Sequence, residues 1–380
     1  FAGYHDSNFN VRCAAYAAGK PAPALPEVAA LLDSRWIPGL GVAMRAHAGD
    51  PNETFLAYRQ GYLISHCDDN QGDFVLFSKG APLVDMSLFA YPLHQHEPYI
   101  QLNAEFGWYS YPRLSPQNVA SDMRQGSNNR NLIGAWNASS AVHAHAFAES
   151  VDYLRGRADY PPRRWSRQIL FLKGQTATGP NYVVFRDSFD ILEGAAGELT
   201  PYWWNLRTVG ATDRVTPAAA GLEYRSPHGP RLLVQFPGFD KIQAETRQAA
   251  RQGSTFAHLD KWPTPGQATM DGKTDETLSV TAVGPIAAGR DTLAVLYPAA
   301  EGEAPPRTET PAEGVLRIET SEGVDWVFAG RRPLAFDGGD VAFRGLAGAV
   351  RIRPHEVHLV VCEGPGEARY RGVTLRSAVP

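Results

Sequence analysis

The sequence predicts an all-β protein: a large antiparallel β-sandwich (a β-supersandwich), followed by a smaller β-sandwich unit and preceded by a short helical leader. Three observations favour this class. The 36 glycines and 29 prolines are spread along the chain. Short runs of β-branched and aromatic residues recur between them, and no long amphipathic helix interrupts the pattern. Frequent turns between short apolar runs are typical of sandwiches rather than of helical bundles.

The first 40 residues are interpreted as a leader to this β region. The stretch from Pro26 to Leu32 has the composition of a short helix with proline in its first turn, where the missing proline N–H has no helical partner to lose. We interpret residues 1–40 as the end of a preceding helical domain. The β-supersandwich is then expected over residues 41–300, and a small C-terminal β domain over residues 301–380.

Apolar runs predict the individual strands. Residues 54–59 and 73–77 are continuously apolar, which indicates strands buried on both faces. Residues 299–311 contain two adjacent prolines and several glutamates, which indicates a linker or a long surface turn. Further strand signals lie at 168–172, 182–185, 231–236, 315–318, 325–328 and 357–361.

Charge and cysteine content narrow the classes of function. The formal net charge is −4 and the isoelectric point is about 6.3. No run of Lys or Arg forms a basic stripe, so nucleic acid is not an expected partner. A polyanionic sugar is compatible with this charge, because a cleft needs only a few well-placed cations. Cys13, Cys67 and Cys362 are too few and too widely spaced to predict a disulfide framework.

Motifs of several other classes are missing from the sequence. The chain has no glycine-rich nucleotide loop after a strand, no P-loop and no HExxH sequence. No apolar run reaches the roughly 18 residues that a membrane-spanning helix needs. We therefore expect neither a nucleotide site nor a membrane span.

The densest group of titratable residues lies between Ser65 and Asp85. A polar segment that contains His66 leads into an apolar strand, the chain turns at Lys79-Gly80, and it returns to Asp85. If the two strands form a hairpin, His66 and Asp85 lie at the same edge of the sheet. An imidazole beside a carboxylate suits a Zn²⁺ site and equally suits a histidine that an acid orients for general acid/base catalysis. A surface turn with a solvated histidine is the remaining interpretation.

Six segments of the chain occur in an order that resembles one known family. They are residues 61–68, 74–76, 80–85, 152–156, 165–173 and 181–187. Their order is similar to that in the heparinase II/III-like polysaccharide lyases, within the C-terminal β-sandwich portion. The likeness covers residues 40–210 well and the remainder more loosely.

The resemblance implies an incomplete helical toroid beside the β-supersandwich, with the active site between them. Members of the family cleave uronate-containing acidic polysaccharides by β-elimination. A base removes the C5 proton beside a carboxylate, and an acid, often tyrosine, protonates the leaving oxygen. His66 and Tyr99 are the corresponding catalytic candidates here. The family's helical-domain Asn, His and Tyr have no counterparts in this chain, so a helical toroid domain of the same protein is the expected partner, and a secreted or periplasmic location is expected.

The resemblance also implies a metal, since several members hold one in the sandwich near the site. His66 resembles one ligand and Asp85 its partner, and His96 is the candidate third ligand for a divalent metal such as Zn²⁺. The sequence departs from the family at two positions. Ile64 stands where the first motif histidine, the one resembling the catalytic one, is expected. Leu102 stands where the third-ligand histidine of a His-Asn pair is expected, so a catalytic His66 without any metal stays open.

Asn103, Trp108, Arg155 and Arg167 are the predicted substrate-binding residues. Tryptophan offers a large apolar face with a polar edge for stacking on a sugar ring, and a guanidinium suits a carboxylate or sulfate. Ordinary core packing for the tryptophan and a solvated strand end for each arginine are the alternatives.

Two further histidine pairs have the spacing that places both rings on one face of a strand. They are His94 with His96, and His143 with His145. Each pair could supply metal ligands or simply belong to a half-exposed strand face.

The sequence therefore favours a lyase acting on a uronate-containing polysaccharide, with this chain as its β-sandwich part. A non-catalytic carbohydrate-binding or structural β-sandwich is the alternative, because Ile64 and Leu102 break the family pattern. An epimerase on the same scaffold would share the proton-abstraction step.

Overall fold

The computed structural model describes residues 33–60, 74–84, 139–160, 163–191, 200–209, 215–218, 221–226, 229–239, 243–248, 276–286 and 291–378. Within these ranges there is no helix, and the strands form three antiparallel sheets. The all-β prediction is confirmed. The helix predicted for residues 26–32 lies outside the described ranges. No helix in the described part of the chain is long and apolar enough to span a membrane.

Sheet A has eight strands. In spatial order they are β1 (Arg35–Ile37), β2 (Gly41–Ala46), β3 (Thr54–Arg59), β4 (Phe74–Ser78), β5 (Ala81–Val84), β10 (Thr200–Val209), β15 (Glu276–Ile286) and β14 (Gln243–Gln248).

Sheet B also has eight strands. In spatial order they are β11 (Val215–Ala218), β12 (Gly221–Arg225), β13 (Arg231–Gln235), β16 (Asp291–Ala299), β9 (Tyr182–Ile191), β8 (Arg163–Leu172), β7 (Val151–Tyr160) and β6 (Ser139–Phe147).

Sheet C has seven strands and occupies the C-terminal part of the chain. Its main path is β17 (Arg307–Ala312), β18 (Val315–Thr320), β19 (Gly323–Asp337), β20 (Val341–Ile352), β22 (Gly366–Tyr370) and β23 (Val373–Ser377), and β21 (Val357–Glu363) pairs with β20 beside this path.

Sheet B is the middle layer of the molecule. Ile169 and Phe171 of β8 belong to a core shared with sheet A. Leu170 and Leu172, which alternate with them, belong to a second core shared with sheet C. Side chains alternate between the two faces of a strand, so both faces of β8 are covered and its sequence is apolar without alternation.

Two neighbouring strands of sheet A follow a different pattern. Both β3 and β4 alternate between buried and half-buried positions along their length. The expectation that residues 54–59 and 73–77 are buried on both faces is therefore wrong. Phe55 and Phe77 occupy the half-buried face, and an apolar residue on such a face makes a one-sided strand look like a central one.

Sheet C has a small core of its own on the side away from sheet B. Phe328 and Phe343 stack there with ring centroids 4.3 Å apart and ring planes 5° apart. The long strands β19 and β20 contribute to this core and to the core shared with sheet B. The predicted boundary between residues 300 and 301 falls just before sheet C and stays a prediction.

The segment predicted as a linker at residues 299–311 is a short turn followed by strand β17. The Glu303 carboxylate accepts hydrogen bonds from the Tyr297 hydroxyl at 2.8 Å and the Ala300 amide at 2.8 Å. Arg231 donates to the Glu303 carbonyl oxygen. These bonds hold the turn against sheet B, so proline and glutamate here mark a fixed turn.

A buried ionic group joins sheets B and C. Asp325 of β19 is fully buried and accepts hydrogen bonds from Arg351 Nε at 3.0 Å, from Arg353 Nη2 at 3.2 Å and from the Tyr182 hydroxyl at 2.7 Å. Burial raises the pKa of Asp325, but the charges of the two arginines outweigh burial and hold that pKa below its usual value. The carboxylate therefore stays ionised and bonded to groups from both sheets.

Replacing Asp325 by alanine should strongly destabilise the protein. The change would leave Arg351 and Arg353 buried without their counter-charge, which costs about 3–5 kcal/mol when one partner of a buried pair is removed. Chemical denaturation measures the loss. Asp337→Ala is the matched control, since Asp337 forms an exposed ion pair with Arg369. Equal effects of the two substitutions would contradict this account.

The contribution of the Asp325 carboxylate should depend on pH with a defined sign. Its pKa is lowered in the folded state, so the unfolded chain takes up the proton first as the pH falls. The stabilisation is complete above the unfolded pKa of about 3.9 and is lost as the pH falls through the lower folded pKa. The free energies of unfolding of wild type and Asp325→Asn should converge in that acid range. A difference that stays constant throughout would argue against the ionic group.

Candidate active-site end of the sandwich

The hairpin predicted around Lys79-Gly80 is present. Strands β4 and β5 pair with Ser78 opposite Ala81, which leaves a two-residue turn. Lys79 and Gly80 have φ values of 54° and 79°. Two positive φ values define the turn that matches the right-handed twist of a two-residue hairpin.

Several strands stop and start at one end of the sandwich, which we call the open end. Strand β3 ends at Arg59, β4 begins at Phe74, which pairs with Tyr58, and β5 ends at Val84, which pairs with Leu76. Strand β6 of sheet B begins at the same end, beside the turn between β7 and β8. Segments 61–73 and 85–138 therefore both connect to the described strands at the open end.

Most of the predicted site residues belong to those two segments. His66, Asp85, His96, Tyr99, Asn103 and Trp108 lie outside the described residues. Their predicted roles stay predictions. His66 and Asp85 were predicted to lie close together on the condition that the two strands form a hairpin, and these strands do pair.

A buried glutamine joins the two sheets at the open end. Gln60, directly after β3, accepts a 2.5 Å hydrogen bond from the Tyr58 hydroxyl, and its amide nitrogen lies 3.2 Å from the Arg157 carbonyl oxygen. A Cβ on Gly156 would come within 2.8 Å of Gln60 Oε1. This contact was not predicted, although a glycine inside an otherwise regular strand signals close approach by another group.

Arg167, a predicted substrate-binding residue, lies inside the sandwich beneath this end. Its guanidinium donates two hydrogen bonds to Asp187, at 2.8 and 2.9 Å, and the exposures of the two side chains are 1% and 0%. The same guanidinium lies 4.9 Å from the centre of the Phe185 ring. These contacts connect β8 to β9, and the predicted contact of Arg167 with substrate stays a prediction.

Arg155, the other predicted basic contact, bridges sheets B and C. Its Nη2 lies 2.5 Å from Oε1 of Glu363, whose Oε2 accepts a 2.5 Å hydrogen bond from the Tyr153 hydroxyl. Burial lowers the pKa of Arg155, but its hydrogen bond to Glu363 outweighs burial and raises that pKa above the usual value. The Arg155 side chain is 32% exposed, and its guanidinium already pairs with a carboxylate.

A second charged group at the open end was not predicted. Arg186 of β9 forms an ion pair with Asp291 of β16, and Asp190 of β9 forms one with Arg331 of β19. Burial is the main cause that lowers the pKa of Arg186 and raises the pKa of Asp291. A charged residue inside an apolar strand was the sequence signal for these buried pairs. Their pairing could not be predicted, because it depends on how strands distant in sequence align.

The histidine pair on β6 does not form a regular two-ring face. The register shifts between Val142 and Ala144, so His143 lies in a β-bulge. His145 packs its ring 5.0 Å from Trp36 and 5.4 Å from Phe147. Among the residues that the structure describes, no group of three or more His, Cys, Asp or Glu side chains is placed to hold a metal ion.

Solved structures of heparan sulfate lyases and of a heparinase III are similar to this fold. No protein-family model and no curated protein sequence matches the chain. The heparan sulfate lyase HepC from Pedobacter heparinus matches with a TM-score of 0.54 at 16% identity over 78% of this chain, and a mutant of it with 0.51 at 14% over 91%. A heparinase III matches with 0.53 at 10% identity over 91%.

These similarities establish a shared fold and, at most, a distant relationship. In each case the match covers 42% of the other chain. The present chain therefore spans less than half the length of the lyases that it resembles. The comparisons show the fold alone: an all-β sandwich similar to part of these heparan sulfate lyase and heparinase III structures.

A double-mutant cycle on Arg167 and Asp187 should reveal a buried pair. Either Arg167→Leu or Asp187→Leu alone leaves one uncompensated buried charge and should cost about 3–5 kcal/mol of unfolding free energy. The double variant should lose less than either single variant, because it buries two apolar side chains instead. Urea denaturation measures all three, and strictly additive losses would count against a closed pair.

Proposed function

We propose that this chain is the β-sandwich part of a lyase that cleaves a uronate-containing acidic polysaccharide by β-elimination. One observation carries the proposal: the fold matches heparan sulfate lyases, and the segments with the family-like residues join that fold at a single end. A site at the edge of a rigid sandwich keeps its reacting groups on a fixed frame.

In the proposed mechanism His66 is the base and Tyr99 the acid. His66 removes the C5 proton of the uronate, the electron pair forms the C4–C5 double bond, and the bond from C4 to the leaving oxygen breaks. Tyr99 donates a proton to that oxygen. Proton transfer by a positioned side chain typically contributes about 10²–10⁴-fold to the rate. Negative charge accumulates on the carboxylate, so a polarised donor such as Asn103 stabilises the transition state.

The remaining predicted residues hold the substrate. Trp108 stacks on a sugar ring, and Arg155 and Arg167 are the proposed cationic contacts with the polyanion. Ion pairs with Glu363 and Asp187 neutralise both guanidiniums, so neither offers net charge to the polyanion while its pair is closed. Direct contact would require an ion pair to open.

A divalent metal, Zn²⁺ by preference, is proposed at His66, Asp85 and His96. Two imidazole nitrogens and a carboxylate oxygen form a ligand set that Zn²⁺ takes in proteins. A bound metal would supply positive charge near the reacting uronate. In this arrangement His66 either binds the metal or acts as the base, and the metal-content measurement below separates the two.

A helical toroid domain of the same protein is the proposed partner, and it would close the other side of the site. The heparan sulfate lyases that match this fold extend well beyond the matched part. A secreted or periplasmic location fits a polymeric substrate, and no role for nucleic acid is proposed.

A non-catalytic carbohydrate-binding or structural sandwich is the second candidate. The observation that favours it is the closed pairing of Arg155 and Arg167, together with Ile64 and Leu102 at two family positions. An epimerase would share the C5 proton abstraction and would be recognised by inversion without chain cleavage.

Replacing His66 by alanine should reduce turnover of a uronate polysaccharide by about 10²–10⁴-fold. Turnover by the intact protein is measured from the ultraviolet absorbance of the unsaturated uronate product. His145→Ala is the matched control, since His145 packs on Trp36 at the surface of β6. Equal activity of wild type and His66→Ala, with unchanged folding, would remove His66 from the site.

Elemental analysis of the same proteins should show about one divalent metal ion per wild-type chain. The metal should be lost in His66→Ala and Asp85→Ala and kept in His145→Ala. A metal-free wild type that still turns over substrate would leave His66 as the base alone and would reject the metal site.

A further inference from the structure

A cavity of about 370 Å³ lies at the end of the molecule opposite the open end. All three sheets line it. Sheet A contributes β2 and the turn that follows it, sheet B contributes the start of β7 and the end of β8, and sheet C contributes the connection from β20 to β21. Its volume is within the range of small-molecule sites, roughly 300–1,000 Å³. Junctions between packed units are common places for such sites.

The floor of the cavity carries three cations, of which Arg351 and Arg353 are buried and Lys173 is half-buried. Lys173, Arg351 and Arg353 line it with side-chain exposures of 14%, 1% and 3%. Lys173 forms a 2.7 Å ion pair with buried Asp152, and the arginines share Asp325. The cations are therefore fixed in place, and their counter-charges lie behind the wall.

Arg45 offers a donor that has no partner in the described part of the chain. Its Nη2 lies 2.8 Å from Glu53 Oε1. Its Nε is buried and has no hydrogen-bond acceptor among the described residues. Because a buried unpaired donor costs free energy, an acceptor on a bound molecule would restore the lost hydrogen bond.

The rim of the cavity combines acceptors and donors. Asp33, Glu149 and Glu356 are exposed carboxylates on its lining. Glu356 Oε1 lies 3.1 Å from His358 Nε2 and accepts a 3.1 Å hydrogen bond from Gln175. A ligand at the rim therefore meets both kinds of polar group.

This lining discriminates between classes of ligand. An inorganic anion such as sulfate has no proton to give, so the three rim carboxylates repel it. A sugar hydroxyl both donates and accepts, so hydroxyls can donate to the rim carboxylates. A sugar carboxylate can at the same time pair with Lys173, which is the most exposed of the floor cations at 14%. One ligand class satisfies the floor and the rim together: a uronate without sulfate groups.

We propose that this cavity binds an unsulfated uronate unit of an acidic polysaccharide, as an anchoring site separate from the chemistry at the open end. The choice of ligand rests on the proposed function, and the cavity and its lining do not. Two sites at opposite ends of one rigid sandwich would hold a long polymer at two places and raise its effective concentration at the open end.

Calorimetric titration of the full chain with an unsulfated glucuronate-containing tetrasaccharide tests the site. Ala48→Trp places an indole at the exposed mouth of the cavity and should weaken this binding by about tenfold or more. Glu356→Ala, which removes a rim acceptor, should weaken it in the same direction. The matched controls are Ala312→Trp and Glu319→Ala, at exposed positions on β17 and β18 of sheet C, and both should bind as wild type does.

Each outcome decides the proposal. Binding that is equally strong in wild type and in Ala48→Trp would overturn it, as would no binding by wild type. Inorganic sulfate that competes as well as the tetrasaccharide would also overturn it. Polysaccharide turnover is followed in the same variants and should keep its wild-type kcat in Ala48→Trp. Tetrasaccharide binding at the cavity without turnover in any variant would retain this site and reject the lyase instead.

Discussion

Sheet B is covered on both faces, and this constraint determines where a polar group on its central strands can lie. Its central strands β8, β9 and β16 contain almost no exposed position. A charged or polar side chain on such a strand must therefore find a partner inside, because burying it unpaired is costly. Arg167 of β8 and Asp187 of β9 meet this requirement by pairing with each other. Two further groups join sheet C to sheet B: the Tyr182 hydroxyl of β9 donates to Asp325 of β19, and Arg155 of β7 pairs with Glu363 of β21.

The same constraint leaves the ends of the sandwich for binding and catalysis. Strands of sheets A and B terminate at the open end, and the two segments with the family-like histidines and aromatics connect there. The opposite end holds the junction cavity, where buried cations come within reach of solvent because strands of all three sheets end around it. The two proposed sites, one at each end of this three-layer body, would together suit a long polymeric substrate.

Local features of this fold could be predicted from the sequence, whereas its long-range pairings could not. The Lys79-Gly80 turn and the strands of sheet C follow from turn residues and short apolar runs, which act over a few neighbours. The one-sided burial of β3 was missed because its half-buried face is also apolar. The partner of Arg155 is Glu363, on a strand of another sheet, and the partner of Arg167 depends on the exact register of β8 with β9. The sequence pattern gives neither, so it did not reveal that both arginines are already paired. Most of the candidate site lies outside the described residues. The roles predicted for those residues therefore still rest on the sequence resemblance to the lyase family, which fails at Ile64 and Leu102.

Isotope labelling during cleavage tests the central claim of an elimination mechanism most directly. The intact protein is incubated with a uronate polysaccharide in water enriched in heavy oxygen, and the products are analysed by mass spectrometry. Elimination breaks the chain without adding water, so the account predicts products with an unsaturated uronate end and no heavy oxygen from the solvent. Products that contain solvent oxygen would identify a hydrolase, and an uncleaved polymer would indicate a binding protein or an epimerase. Either result would contradict the account.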